Sequence, residues 1–241
     1  KKGYKFTTSS DTEVLIKSIH CWGLNSLKKF EGMWAIAFYD KSKNKTYLCR
    51  DRFGEKPLLY IIRNNEIYFG SEIKFIKKLI NFKLTINFEL IRKFISFGYR
   101  TIFKENQTFF NEIRILNPSS YIELNHNNNK ILKREYWNAK SIKVKKITNE
   151  NVIIGKIKKT IIDSLKIRLR SDVPIAFLLS GGIDSSVLTF FSKKIHNYNV
   201  KTFSVISGDN LYDEKKNIVK SIQDLKVDHE FIHLSYKKIN F

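Results

Sequence analysis

The chain has 241 residues, 42% of them hydrophobic, which is enough for one large or two modest domains with real cores. Its 44 Lys and Arg against 23 Asp and Glu give a net charge of +21, but the basic residues are spread along the whole chain, so we expect no specific nucleic-acid partner. Every apolar run is shorter than the roughly 20 residues of a membrane span, and Cys21 and Cys49 lack metal-site spacing, so we expect a cytoplasmic protein with reduced, buried thiols and no membrane partner.

The first half of the sequence predicts short antiparallel strands between helices. An amphipathic helix is predicted over 11–29, where Val14, Leu15, Ile19 and Trp22 share one face. Apolar runs separated by turn-like spacers then predict hairpin strands. These strands are predicted at 33–39, 45–50, 58–62 and 66–70, with a second pair at 120–124 and 130–137. Two helices are predicted between the two groups, at 71–80 and 88–97.

The second half has a different pattern, which begins after a polar, Lys-rich connector at 140–151. A helix is predicted at 152–169 from an apolar stripe that contains Ile154, Ile157, Ile161, Leu165 and Leu169. Strands and helices then alternate, which is typical of a parallel sheet with helices on both faces. The predicted elements are a strand at 175–179, a helix at 185–196, a strand at 200–205, a helix at 213–225 and a strand at 230–234.

Residues 180–186, Ser-Gly-Gly-Ile-Asp-Ser-Ser, lie where the first of these strands passes into a helix. Two glycines allow a tight turn and a close approach to a ligand, and the N-terminus of the next helix favours an anion. Asp184 supplies a carboxylate suited to Mg²⁺ on a phosphate chain. Because no Lys follows the glycines, the segment differs from the common phosphate loop. It resembles instead the pyrophosphate loop of enzymes that split ATP between its α and β phosphates.

Motifs along the whole chain, in order, resemble those of glutamine-hydrolysing asparagine synthetases. They are DTE at 11–13, FEGMWAIA at 30–37, RDRFGEKPL at 50–58, FGSEIK at 69–74, YW at 136–137, RLRSDVP at 168–174 and SGGIDSS at 180–186. The resemblance implies an α+β antiparallel sandwich of the N-terminal-nucleophile type, followed by an α/β parallel-sheet pyrophosphate-loop ATPase domain, both truncated. The implied boundaries are a class II glutamine amidotransferase domain at 1–138, a linker at 139–151 and the ATP-pyrophosphatase domain at 152–241.

The family's activity has two coupled sites. The first site hydrolyses glutamine to ammonia with a first-residue Cys, and the second adenylates aspartate with ATP and Mg²⁺, so that ammonia displaces AMP after pyrophosphate has left. The resemblance therefore implies glutamine, aspartate and ATP as substrates, and it allows a homodimer. Residues that match nucleotide-contacting positions of the family are Leu178, Ser180, Gly181, Gly182, Asp184, Ser185 and Val205. Asp11 matches the carboxylate that receives the glutamine α-amino group.

Several alternatives stay open at this point. Leu178 and Val205 could be ordinary buried strand residues, and Asp11 could cap a helix. Residue 1 is Lys rather than Cys, so we assign no catalytic residue within 1–241 and expect an internal piece of a longer protein, inactive alone. A relative that amidates a sugar or another carboxylate is a second interpretation. A tRNA-modifying enzyme with the same loop is a third, although the 11–137 half argues against it.

Overall fold

The structure is a computed structural model that describes residues 3–98, 106–142, 149–206 and 214–233. The chain divides into two compact units, Lys1–Lys143 and Val144–Phe241. In the described part of the chain, no helix is both long enough and apolar enough to cross a membrane.

The first unit contains two antiparallel sheets, because each apolar run alternates its side chains between two faces and pairs with a neighbour through a short turn. One sheet has the strand order β1-β2-β6-β7 and the other β4-β3-β5. The strands are β1 Ala35–Asp40, β2 Lys45–Arg50, β3 Leu59–Arg63, β4 Glu66–Gly70, β5 Arg114–Ile115, β6 Ser120–Asn125 and β7 Lys130–Glu135.

The described residues of this unit form three α-helices. They are α1 Asp11–Trp22, α2 Ile73–Leu79 and α3 Phe88–Phe97. Between the sheets, one core joins Leu48 and Ile122 of the first sheet to Tyr60 of the second. On the opposite face of β2, Cys49 packs with Leu27, which follows α1, and on the opposite face of β3, Ile61 packs with Ile76 of α2. The unit is therefore layered helix, sheet, sheet, helix.

Several predicted element ends in this unit differ from the structure by one or two residues, and two differences are larger. The helix predicted over 11–29 ends at Trp22, because Gly23 adopts a φ of 58° and a 3-10 helix, Gly23–Lys28, follows it. Helix α1 buries none of its residues. Strand β5 was not predicted, since two residues are too few to show an alternating pattern.

The second unit is a parallel sheet with the strand order β10-β9-β8. Its elements are α4 Glu150–Arg168, β8 Ala176–Leu178, α5 Ile183–Lys194, β9 Lys201–Ile206, α6 Lys215–Leu225 and β10 Asp228–His233. A 3-10 turn, Ala139–Ser141, lies in the first unit and at the start of the predicted linker. The predicted helix start at 213, the predicted strand end at 234 and connector residues 143–148 lie outside the described residues.

Helices were expected on both faces of this sheet, but the described helices leave one face open. Helices α5 and α6 join neighbouring strands in the same direction along the sheet, and right-handed crossovers of this kind place both helices on one face. On that face Thr202 and Ser204 are buried, whereas Leu178, Val205 and Ile232 on the other face are 75%, 50% and 42% exposed. The apolar stripe predicted for α4 is also only partly used, since Leu165 alone is buried along that helix.

Candidate functional site

The 180–185 segment begins where β8 ends and includes the first turn of α5. Helix α5 starts at Ile183, two residues earlier than predicted, because Gly182 serves as its N-cap. Gly181 has a φ of +75°, and a Cβ added there would lie 2.8 Å from the backbone nitrogen of Ile218 and 2.9 Å from the Cβ of Asn217. Only glycine avoids both the backbone strain and this close approach. The segment is therefore held against the first turn of α6.

The serine hydroxyls of the segment close it into a compact turn. Ser185 Oγ lies 3.1 Å from Ser180 Oγ and accepts a hydrogen bond from the Ser180 N–H at 3.3 Å. The Gly182 N–H donates to Ser180 Oγ at 3.4 Å. Both predicted serines thus lie together, as the sequence motif required. They shape the turn, and their hydroxyl hydrogens can reorient toward a ligand.

The N-terminus of α5 offers hydrogen-bond donors to an anion. The first N–H groups of any helix have no acceptor within the helix, and the helix dipole places partial positive charge at that end. Asp184 lies in this first turn, is exposed and has no ion-pair or hydrogen-bond partner among the described residues. These features fit a phosphate chain that carries a cation.

Among the described residues, protein side chains alone do not form a cation site. Within 3–98, 106–142, 149–206 and 214–233, no group of three or more His, Cys, Asp or Glu side chains could hold a metal ion. Mg²⁺ usually binds one or two carboxylates and takes its remaining ligands from substrate phosphates and water. The single carboxylate of Asp184 therefore fits Mg²⁺ that arrives with a nucleotide.

Strand β9 fixes the start of the segment through a residue that sequence reasoning missed. The buried Ser204 donates its hydroxyl to the Leu179 carbonyl, and the Leu179 N–H donates to the Phe203 carbonyl at 2.8 Å. Because Ser180 follows Leu179 directly, these bonds set where the segment begins. The only signal in the sequence was a pair of hydroxyl residues, Thr202 and Ser204, on the core-facing positions of an otherwise apolar strand.

Leu178 and Val205 lie near the carboxyl ends of their strands on the open face of the sheet. Leu178 pairs in register with Phe203, which is two residues before Val205, so all three side chains point to the same face. Leu178 is 75% exposed and Val205 50% exposed. Burial among the described residues therefore does not explain why either is apolar.

Asp11 lies at a second candidate site, in the first unit. The N-cap of α1 is Ser10, whose hydroxyl accepts the Thr12 N–H at 3.2 Å, so Asp11 is not the cap. Asp11 is exposed, its carboxylate has no hydrogen-bond or ion-pair partner among the described residues, and it lines a cavity of about 820 Å³. Other lining residues include Lys29, Glu31, Met33, Trp34 and Lys56. The capping alternative is thereby weakened.

The cysteines do not form a nucleophilic site in the described residues. Both are free thiols, but only Cys49 is buried, whereas the prediction was that both are. Burial raises the pKa of the Cys49 thiol, so this side chain stays protonated at neutral pH. Cys21 lies near the end of α1, within an α-helix as predicted.

The turn after β2 is built around Asp51, which is 1% exposed. Its carboxylate accepts the N–H groups of Phe53, Glu55 and Lys56 at 3.0 Å each and that of Trp34 at 3.3 Å. Burial alone would raise the pKa of Asp51, but the four donors outweigh it and leave the pKa below its ordinary value. Asp51 therefore holds the turn that contributes Lys56 to the cavity.

Comparison with known protein families shows which family the first unit resembles. The profile described as "Glutamine amidotransferase domain" matches residues 1–137. The chain belongs to this family. A second profile, described as "Asparagine synthase", matches residues 156–239.

Curated relatives carry the corresponding enzyme name. Asparagine synthetase [glutamine-hydrolyzing] 1 of Bacillus subtilis is 34% identical over 85% of this chain and 31% of its own length. Asparagine synthetase [glutamine-hydrolyzing] 2 of the same organism is 32% identical over 88% of this chain and 29% of its own length. A Methanocaldococcus jannaschii protein with the same type of name is 34% identical over 97% of this chain and 44% of its own. The resemblance inferred from the motifs is confirmed, and the chain spans less than half the length of these relatives.

Proposed function

We propose that the chain is part of a glutamine-hydrolysing asparagine synthetase, an enzyme that forms asparagine, AMP and pyrophosphate from aspartate, ATP and glutamine-derived ammonia. The observation that carries the proposal is the 180–185 segment, a glycine turn packed on α6 at the carboxyl edge of a parallel sheet. Ligands of such sheets bind at this edge. The segment occurs in a chain whose first unit belongs to the glutamine amidotransferase family.

The chemistry follows from the poor leaving ability of a carboxylate oxygen. An oxygen of the aspartate side chain attacks the α phosphorus of ATP, the bond to the β phosphate breaks, and pyrophosphate carries away the electron pair. Ammonia then attacks the acyl carbon, AMP leaves and a proton is released. In this proposal the free N–H groups of α5 and the hydroxyls of Ser180 and Ser185 stabilise the negative charge on the departing pyrophosphate.

The remaining nucleotide contacts are assigned from exposure and position. Asp184 would hold Mg²⁺, which neutralises phosphate charge when it is bound. Leu178 and Val205 would contact the nucleotide, as the family resemblance implies, and an exposed apolar surface at the end of the sheet suits this role. In the first unit, Asp11 would pair with the glutamine α-amino group, because this residue lines a cavity and Ser10 already caps the helix.

The domain organisation belongs to the same proposal. A glutamine amidotransferase domain of the N-terminal-nucleophile type would cover 1–138, a linker 139–151, and a pyrophosphate-loop domain 152–241. The helix, sheet, sheet, helix layering of the first unit supports the first assignment. The parallel order β10-β9-β8 with its glycine turn supports the last.

The test uses the whole protein, incubated with glutamine, aspartate and Mg-ATP. We expect asparagine, AMP and pyrophosphate in equal amounts, and we expect Asp184→Ala to abolish pyrophosphate release while glutamine hydrolysis continues. Asp224→Ala is a matched control, since Asp224 is also exposed in the second unit but lies at the far end of α6. Unchanged pyrophosphate release in Asp184→Ala would mean that the segment is only a turn.

The same assay identifies the substrate that accepts the ammonia. Pyrophosphate release that requires a sugar or a carboxylate other than aspartate would favour the second interpretation of the sequence. Retention of tRNA at physiological salt, with sequence selectivity, would favour the tRNA-modifying alternative.

A further inference from the structure

Helix α6 lies against both the 180–185 segment and the residue that follows it. Asn217 and Ser221 are four positions apart, so they lie one above the other on the same face of the helix. Asn217 lies so close to Gly181 that a Cβ added to Gly181 would be 2.9 Å from the Cβ of Asn217. At the Ser221 level, Ser221 Oγ is hydrogen-bonded to Ser186 Oγ at 3.2 Å. One face of α6 therefore supports the segment at two successive levels.

A series of hydrogen bonds connects Ser221 to the glycines. Ser186 shares its hydroxyl with Ser221, and its N–H donates to the Gly182 carbonyl at 3.2 Å, which closes the first turn of α5. Gly182 in turn donates its N–H to Ser180 Oγ at 3.4 Å. A shift of Ser186 would therefore move the N–H groups that face the ligand. Two residues of the segment, Gly182 and Ser180, are therefore connected to Ser221 through Ser186.

Helix α6 is itself well anchored, so it can act as a support. Ile218 and Leu225 are 3% and 8% exposed, and they hold the helix against the core of the second unit. Ser186 and Ser221 are half-buried. When one hydroxyl of such a pair is removed, the other is left poorly solvated and tends to find a new partner by local movement.

We propose that Ser221 is a positioning residue for the phosphate site, which acts through Ser186 to fix the first turn of α5. The inference rests on the proposed function, because the donors it positions are those assigned to the pyrophosphate. Ser221 does not need to touch the nucleotide. Its removal should weaken nucleotide binding more than it weakens folding, since α6 keeps Ile218 and Leu225 as anchors.

The experiment measures pyrophosphate release by the whole protein as ATP is varied. Loss of one neutral hydrogen bond in Ser221→Ala should raise the KM for ATP by about 2- to 10-fold, while the KM for glutamine hydrolysis in the other unit stays unchanged. Ser221→Thr and Ser221→Val differ only in the hydroxyl, so Thr should keep the parent KM for ATP and Val should not. Ser192→Ala is the matched control, because Ser192 on α5 is buried and, among the described residues, its hydroxyl donates only to the Leu188 carbonyl.

A double variant separates a specific link from a general loss of packing. If the two serines act through their mutual bond, Ser186→Ala with Ser221→Ala should raise the KM for ATP no further than Ser186→Ala alone. Additive effects would overturn the inference, as would an equal rise in Ser192→Ala or a lower melting temperature with an unchanged KM for ATP. A parent protein that releases no pyrophosphate would instead refute the proposed function. An active parent with an unaltered Ser221→Ala would refute only the role of Ser221.

Discussion

Gly181 and Gly182 are neighbours, yet the structure gives them opposite tolerance for a side chain. At Gly181 the φ of +75° is a left-handed conformation, which costs an L-residue roughly 1–2 kcal/mol. The added Cβ would also lie 2.8–3.0 Å from three atoms of Asn217 and Ile218, two of them in the backbone of α6. Overpacking of this kind costs about 1–3 kcal/mol, so Gly181→Ala should destabilise the segment by about 2–5 kcal/mol in total.

Gly182→Ala is the matched control for this prediction. Gly182 has a φ of −79° and a ψ of 167°, which any residue adopts. A Cβ there would meet only Ser180 Oγ, at 3.4 Å. Because the backbone is already compatible with alanine, the change in stability should stay within about 1 kcal/mol.

Hydrogen exchange of the whole protein, read by mass spectrometry on peptides, measures this difference locally. Since every 1.4 kcal/mol is a factor of ten, exchange in peptides spanning 176–194 should accelerate about 30- to 4,000-fold in Gly181→Ala. Peptides spanning 35–50 in the first unit should exchange as in the parent. The reasoning fails if Gly181→Ala protects 176–194 as well as the parent does, or if Gly182→Ala accelerates exchange equally.

Three further predictions concern other positions. Asp11→Asn should raise the KM for glutamine roughly 10- to 150-fold while ammonia-dependent synthesis persists. Ser10→Ala should instead leave that KM unchanged and lower the free energy of unfolding by about 1 kcal/mol, because the helix loses its N-cap. Steady-state kinetics and thermal unfolding distinguish the two variants. Asp51→Asn should lower the free energy of unfolding of the first unit by about 2–5 kcal/mol at neutral pH, because an amide leaves N–H donors unpaired. The pKa of Asp51 is lower in the folded than in the unfolded state, so its contribution to the free energy of unfolding is fully present above the unfolded-state pKa and is lost as the pH falls through the folded-state pKa. Urea unfolding followed by tryptophan fluorescence should therefore show that the stability difference between the parent and Asp51→Asn becomes smaller in acid. Lys226 ends α6 with a φ of +50°, so Lys226→Gly should stabilise the second unit by about 1 kcal/mol. Lys220→Gly, which lies within α6, should destabilise the second unit by a similar amount. Hydrogen exchange of the α6 amides measures both effects.

Some elements could be predicted closely because local chemistry alone determines them. The strands at 45–50 and 66–70 and the helix at 88–97 have the bounds that the sequence indicated. Asn44 and Asn65 stand just before those two strands with positive φ angles of 51° and 64°, a conformation that Asn tolerates better than most residues. The turns that separate the strands were therefore visible in the sequence.

Other features depend on contacts that no local pattern contains. Leu24 and Leu27 continue the apolar spacing beyond Gly23, so the sequence predicts one long helix where the structure has an α-helix and a 3-10 turn. The two residues of β5 become a strand only because β3 offers them an edge. The open face of the parallel sheet was missed for the same reason, since strand order cannot be derived from the alternation of elements alone.

The candidate phosphate site also has a part that the sequence predicts and a part that it does not. The sequence motif predicts a phosphate ligand, because the glycines, the serines and Asp184 occur together in one short segment. The residues that hold the segment in place lie far along the chain, at separations of 25 residues for Ser204 with Leu179 and 35 for Ser221 with Ser186. Neither Ser204 nor Ser221 belongs to the motif. The same motif packed against different elements would have the same hydrogen-bond donors, but the donors would not have the same orientation. The motif therefore predicts the class of ligand, whereas β9 and α6 determine how the predicted donors are placed.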